Sequence, residues 1–134
     1  MLDSHLTIFD DKSVKFVETQ HVKDGVTCDV YKFVNDLSKD LGIIFISKGC
    51  ATPRQKVLLG ETTLEGYISG EGTLIIEWKD ASKEEFGVNL KTKEFSKEIG
   101  IGDIMQWKAD KGKDLVAYEI CYPPYQDGRY ENLP

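Results

Sequence analysis

At 134 residues and 15.1 kDa the chain is long enough for one well-buried core and too short for two. Its 40% hydrophobic and 30% charged residues exclude intrinsic disorder and fit a globular domain. A net charge of −6, from 17 basic and 23 acidic side chains, disfavours nucleic acid and anionic membranes as partners.

In chain order, the N-terminus Met1-Leu2-Asp3-Ser4-His5 lacks the basic-then-apolar pattern of a secretory signal. Short runs rich in β-branched and aromatic residues then recur: Leu6–Phe9, Val14–Glu18, Val26–Val34, Ile43–Ser47 and Gln55–Leu59 in the first half. Thr63–Ile68, Thr73–Trp78, Val88–Phe95, Ile104–Lys108 and Leu115–Tyr122 follow. Candidate strands at intervals of about 8–12 residues predict an all-β sandwich or barrel. Helical signals are confined to two stretches: Asn35 to Leu41, ending at Gly42, and Ala81–Phe86. The longest apolar run, Ile43-Ile44-Phe45-Ile46, is too short to cross a bilayer, so a soluble, cytoplasmic protein is expected. Gly70-Glu71-Gly72 reads as a hairpin turn between two apolar runs, and Gly100-Ile101-Gly102-Asp103 as a turn entering a strand. Pro123-Pro124 closes the last strand, since proline donates nothing to a ladder. The aromatic tail is expected to pack back through Tyr125 and Tyr130.

Cys28, Cys50 and Cys121 are odd in number and widely spaced, which excludes a disulfide framework and the common structural zinc patterns. They read as buried free thiols. His5 and His21 are the only histidines. Neither a Ser-His-Asp order, a zinc-binding His-Glu-x-x-His helix nor a phosphate loop can be assembled.

Two segments resemble a known family. The stretch from Gly49 to Pro53 and then Glu61 to Gly72, above all Tyr67-Ile68-Ser69-Gly70-Glu71-Gly72, is similar to the first motif of the cupin superfamily. Gly100 to Trp107 is similar to the start of the second motif, and Leu115–Tyr122 with its proline exit to the closing strand. The resemblance covers about Ile43 to Tyr125. It implies a double-stranded β-helix, or jelly-roll barrel. Most cupins carry three histidines and a glutamate that bind a metal. Under this alignment those positions fall on Val57, Leu59, Thr63 and Lys113, so neither a metal nor another cofactor is expected.

Strand alternation puts Thr63, Glu65, Tyr67 and Ser69 on one face, and Leu64, Gly66 and Ile68 on the other. The family register turns the first set inward; the apolarity of the second argues for the reverse, and both readings stand at this point. On the closing strand both faces are largely apolar, which leaves Glu119 to be explained. It is either an ion-pair member with Arg54 or Arg129, or a general acid/base with a raised pKa. Gln106 and Lys108 share a face opposite Trp107.

The sequence thus predicts an all-β cupin-like jelly-roll barrel with one or two short helical turns, a single domain over 1–134. N-terminal strands and a short helix occupy 1–42, the barrel motifs 43–125 and a tail 126–134. The expected function is metal-independent binding of a small polar molecule, a sugar or an organic acid, inside the barrel. The candidate ligand-binding residues are Glu65, Tyr67, Gln106, Lys108 and Glu119, with no catalytic residue assigned. The alternatives are a metal-free isomerase, epimerase or lyase using Glu, Tyr or Lys, and a non-catalytic dimerisation scaffold. A homodimer is expected from the two-sided apolar strand Leu115–Tyr122 and the Leu64/Ile68 face.

Overall fold

The computed structural model describes residues 13–134; the expected strand Leu6–Phe9 and His5 lie outside them. Eleven strands follow in order: β1 (Val14–Lys23), β2 (Val26–Phe33), β3 (Asp40–Ile46), β4 (Arg54–Val57), β5 (Thr62–Gly70) and β6 (Gly72–Glu77). They continue as β7 (Lys83–Val88), β8 (Ser96–Ile99), β9 (Ile104–Ala109), β10 (Leu115–Tyr122) and β11 (Tyr130–Leu133). Two antiparallel sheets result, one ordered β1-β2-β3-β10-β5-β8 and the other β11-β4-β9-β6-β7. No helix forms among the described residues.

The core lies between the sheets. Val26, Ile44, Ile46, Leu115 and Ala117 of the six-stranded sheet meet Val57, Leu74, Ile76, Met105 and Trp107 of the five-stranded one. Leu74, Ile76, Leu115 and Ala117 are fully buried, and each large aliphatic among them contributes about 1.5–3 kcal/mol of transfer free energy. A second cluster covers the outer face of the six-stranded sheet, where Val116 and Ile120 pack with Val14, Tyr31, Phe33, Leu41 and Ile43. Strand β10 is therefore buried on both faces, as its sequence implies.

Four local expectations are corrected. Gly70-Glu71-Gly72 is not a hairpin turn, because β5 and β6 belong to different sheets and do not pair. It is a corner where the chain crosses between sheets. Gly70 has φ +90°, a Cβ there would lie 1.9 Å from the Asp114 carbonyl oxygen, and one on Gly72 would lie 2.2 Å from that of Lys108. Only glycine permits so close a passage. The expected strand Val88–Phe95 is broken after Val88, where the Asn89 side chain accepts from Lys91 N at 2.8 Å and Thr92 Oγ1 donates no ladder bond but accepts from Asn89 N at 2.9 Å. Such local bonds compete with strand pairing. Ala81–Phe86 is not helical; from Lys83 it forms β7, an edge strand paired only with β6 and studded with charge. The stretch from Asn35 to Leu41 is a pair of turns leading into β3, with Asp36 Oδ1 accepting from Ser38 N at 3.0 Å in place of a helical turn. The tail 126–134 does pack back: it supplies β11, paired with β4, so Tyr130 lies opposite Val57.

Candidate functional site

The inner face of the six-stranded sheet is set by its register. Glu119 of β10 stands between Gly42 of β3 on one side and Glu65 of β5 on the other. One step along, Cys121 stands between Asp40 and Thr63. Gly42 has no side chain, and a Cβ there would come within 2.9 Å of Cys28 Sγ. Space is thereby left beside Glu119, bounded by the Cys28 thiol.

That space opens into a cavity of about 940 Å³, with Cys28, Gly42, Ile44, Glu119, Cys121 and Tyr130 at its floor. Valines of β1 and β2, among them Val17, Val22 and Val30, form an apolar wall, while Gln55 and Thr52 add polar groups. His21, exposed on β1, Lys32 and Tyr125 belong to its outer reaches. Asp40, also lining it, is held by the backbone N–H of Tyr125 at 2.8 Å.

Glu65 and Glu119 are directly opposed across β5 and β10, so their Cβ atoms lie roughly 4.5–5.5 Å apart. Glu65 is completely buried. Its Oε1 accepts from the Trp107 indole N–H at 2.8 Å, and no donor reaches its Oε2. Indole only donates, so a proton on Glu65 must sit on Oε2, where it satisfies that oxygen by bonding to Glu119. Burial, and then the Glu119 charge, push the Glu65 carboxyl well above its usual range. Burial and the neighbouring Glu119 thus favour the protonated form of Glu65. Glu119 Oε1 accepts from the Tyr130 hydroxyl at 2.6 Å and from the Cys121 thiol at 3.2 Å. Burial first, and Glu119 second, raise the pKa of Cys28, Cys121 and Tyr130, so all three stay protonated at neutral pH.

Of the five residues expected to bind a ligand, Glu119 lines the cavity and Glu65 lies directly behind it. Tyr67 shares the inward face of β5 with Thr63 and Glu65, settling that alternation in favour of the family register. Its hydroxyl donates to the Gly70 carbonyl at 2.8 Å, near the sheet corner and away from the cavity. Gln106 faces outward and donates to the Thr52 carbonyl at 2.8 Å, and Lys108 is exposed; neither lines the cavity. Tyr130, Cys28 and Gly42 were not expected there. Tyr130 was legible only as an anchor of the tail, and no local signal placed β11 over the cavity.

Neither arginine pairs with Glu119. Arg54 bridges Glu77 at 2.6 Å on the other sheet. Arg129 is fully buried, donating to the carbonyls of Pro123, Thr62 and Tyr122 at 2.9–3.3 Å and to Thr63 Oγ1 at 3.2 Å. It ties the tail to the barrel end.

The donor set does not fit a transition metal. Val57 is buried in the core, while Leu59 and Lys113 are exposed, so the four aligned ligand positions do not gather at one point. Glu65 Oε1 and Glu119 Oε1 are occupied by internal donors. Among the described residues no group of three or more His, Cys, Asp or Glu is placed to hold a metal ion.

Two antiparallel sheets rolled face to face, a glycine corner between them and a cavity mouth on the inner face define a cupin-type jelly-roll barrel. The chain has the cupin fold. No family model matches the sequence, and no curated protein matches it. Among solved structures, it is similar to the capsular polysaccharide assembling protein CapF from Staphylococcus aureus, with a TM-score of 0.71 at 12% identity over 89% of this chain and 34% of CapF. The oxalate decarboxylase of Lactobacillus farciminis, in a formate complex, gives 0.68 at 11% identity over 91% of this chain and 34% of the enzyme. The chain thus spans about a third of each of these proteins. A variant of Streptomyces PAC13 with uridine gives 0.60 at 10% identity, over 92% of this chain and 87% of PAC13. No helix of the described residues is long and apolar enough to cross a membrane.

Proposed function

We propose that this domain binds a small polyhydroxylated molecule, of the sugar or nucleoside class, in the barrel cavity without a metal, and that Glu119 is its main polar contact. The observation that carries the reading is a cavity of about 940 Å³ lined by the Glu119 and Asp40 carboxyl groups and, along β1 and β2, by valines. A sugar or nucleoside offers the matching pair of surfaces, hydroxyl donors on one edge and C–H faces for the valines. The volume lies in the range of small-molecule sites, about 300–1,000 Å³. Structural similarity to PAC13, seen with uridine over nearly its whole length, supports the same class. An organic acid is less compatible, since Glu119 and Asp40 line the cavity while Arg129 is committed to backbone carbonyls.

A melting-temperature screen of neutral sugars, nucleosides, sugar nucleotides and organic acids tests this, because a ligand bound only by the native state stabilises it. Stabilisation by a member of the first three groups, abolished by Glu119→Gln, is the expected result. Stabilisation by organic acids alone, or no stabilisation by any group, overturns the reading.

A second reading, acid–base catalysis by a metal-free isomerase, epimerase or lyase, is favoured by the Glu65/Glu119 pair. Proton abstraction beside a carbonyl also builds charge on oxygen, which needs an electrophile. Lys32 is exposed at the mouth and Arg129 is occupied, so the floor is better suited to binding. The scaffold reading requires a barrel filled by apolar side chains, and the cavity speaks against it. Pairing of two copies is proposed on the edge strand β1, where Phe16 is 52% and Val17 44% exposed.

A further inference from the structure

The charge distribution at the cavity floor narrows the ligand further. Three carboxyl groups from three strands surround the same pocket end: Asp40 on β3, Glu119 on β10 and, behind it, Glu65 on β5. Every other titratable group packed there is an uncharged proton donor: Cys28 of β2, Cys121 of β10 and Tyr130 of β11. The cations nearby are engaged or outside. Arg129 donates to carbonyl oxygens at the barrel end, and its charge reaches Asp40 and Cys121 but does not pair with Glu119. Lys39 lies over the Phe33 ring at 4.6 Å and 3.9 Å from Asp36. Lys32 and His21 are exposed on β2 and β1. This is more than a cluster of acids. The acids face a cavity of ligand size, and the carboxyl that lines it, Glu119, is held by the Tyr130 hydroxyl at 2.6 Å and the Cys121 thiol at 3.2 Å.

We propose that the floor takes a primary ammonium group carried on a ring, as in an amino sugar, with Glu119 as its counter-ion. The inference rests on the sugar-binding reading of the same cavity and specifies the group that reaches its floor. An ammonium has three donors and no acceptor, which complements a site made of one carboxylate with the Asp40 carboxyl nearby. Tyr130 and the proton of Glu65 already donate to Glu119, so they orient it and leave its remaining lone pairs to the ligand. A hydroxyl in the same place also donates, but without charge, and gains less from a desolvated carboxylate. Gly42 supplies the room, since any side chain there would crowd the approach to Glu119 beside Cys28. The apolar wall of Val17, Val22 and Val30 faces the ring itself.

Calorimetric titration of the full chain with matched ligands decides the matter. D-glucosamine and D-galactosamine are compared with D-glucose, D-galactose and the two N-acetylhexosamines at pH 7, where the free amines are mostly protonated. The expected result is affinity about tenfold or more higher for an amine than for its parent sugar, with the gain lost on N-acetylation. Glu119→Gln should erase the preference for the amine while the chain still melts cooperatively. The ligand-side comparison stands even if that variant does not fold. Equal affinity for amine and parent, or full retention of the gain after N-acetylation, overturns the ammonium site and leaves the sugar site standing. Absence of measurable binding by all six overturns the ammonium site, whereas the broader screen of nucleosides and sugar nucleotides separately decides the sugar-binding reading.

Discussion

Replacing Glu65 by Gln tests the shared-proton pair without opening a void. The amide keeps an oxygen to accept from the Trp107 indole, now at 2.8 Å, and puts an N–H where the carboxyl proton meets Glu119. In the unfolded chain Glu65 titrates near the ordinary value, about 4.3. In the folded protein burial and Glu119 hold it well above that range. Between these two values the native state binds one proton more than the unfolded state, so wild-type stability falls as pH rises. It is fully present below the unfolded pKa and lost toward the folded one. The slope is about 1.4 kcal/mol per pH unit, so the loss reaches about 2.7 kcal/mol from pH 5 to pH 7 if Glu65 stays protonated throughout. Gln cannot titrate, and the stability of Glu65→Gln relative to wild type should therefore rise by that amount over the same interval. Urea unfolding at pH 5, 6 and 7, followed by tryptophan fluorescence, gives both free energies. A difference that does not change with pH would refute the assignment of the proton to Glu65.

Four further outcomes follow from the same geometry. Gly42→Val should lower affinity for any cavity ligand at least tenfold by titration while leaving a cooperative melt, since its Cβ meets the movable Cys28 side chain; unchanged affinity would move the site elsewhere. Gly70→Ala should cost more than about 3 kcal/mol in urea unfolding, because φ +90° and a backbone oxygen 1.9 Å from the added Cβ leave no relief; a cost below 1 kcal/mol would deny the tight corner. Arg129→Met should cost about 3–5 kcal/mol by stranding the carbonyls of Pro123, Thr62 and Tyr122, and a near-neutral result would show the tail to be held otherwise. Cys28 and Cys121, with their thiols pushed up by burial, should resist iodoacetamide at pH 7.5 until the protein unfolds; rapid labelling of either in mass spectrometry would contradict a closed, acidic floor.

Much of the architecture was legible in the residues themselves. Alternation in Thr73–Trp78 is strong because that strand has one buried face, whereas Leu115–Tyr122 is apolar throughout because both of its faces are covered. The Tyr67 to Gly72 motif carried the family resemblance and, with it, the inward face of Glu65. Strand β7 and the break after Val88 were illegible for the opposite reason. An edge strand needs charge more than apolar pattern, and a single Asn side chain ends a strand that its neighbours would continue. Glu119 was marked out as the one charge on a two-sided apolar strand, but its partners were not.

Those partners were decided by tertiary structure alone. The opposition of Glu65 to Glu119 is a matter of register between strands more than 50 positions apart, and no local pattern encodes it. Tyr130 reaches the floor only because β11 pairs with β4, and the opening beside Glu119 exists only because Gly42 happens to stand next to it across β3 and β10. The sequence by itself determined an acidic, all-β chain and marked out a glutamate on each of two strands, Glu65 and Glu119, without fixing which way Glu65 faced. Whether those two carboxyls would be separate surface charges or one coupled pair depended on bringing them face to face across β5 and β10 with Glu65 completely buried, where two like charges repel strongly.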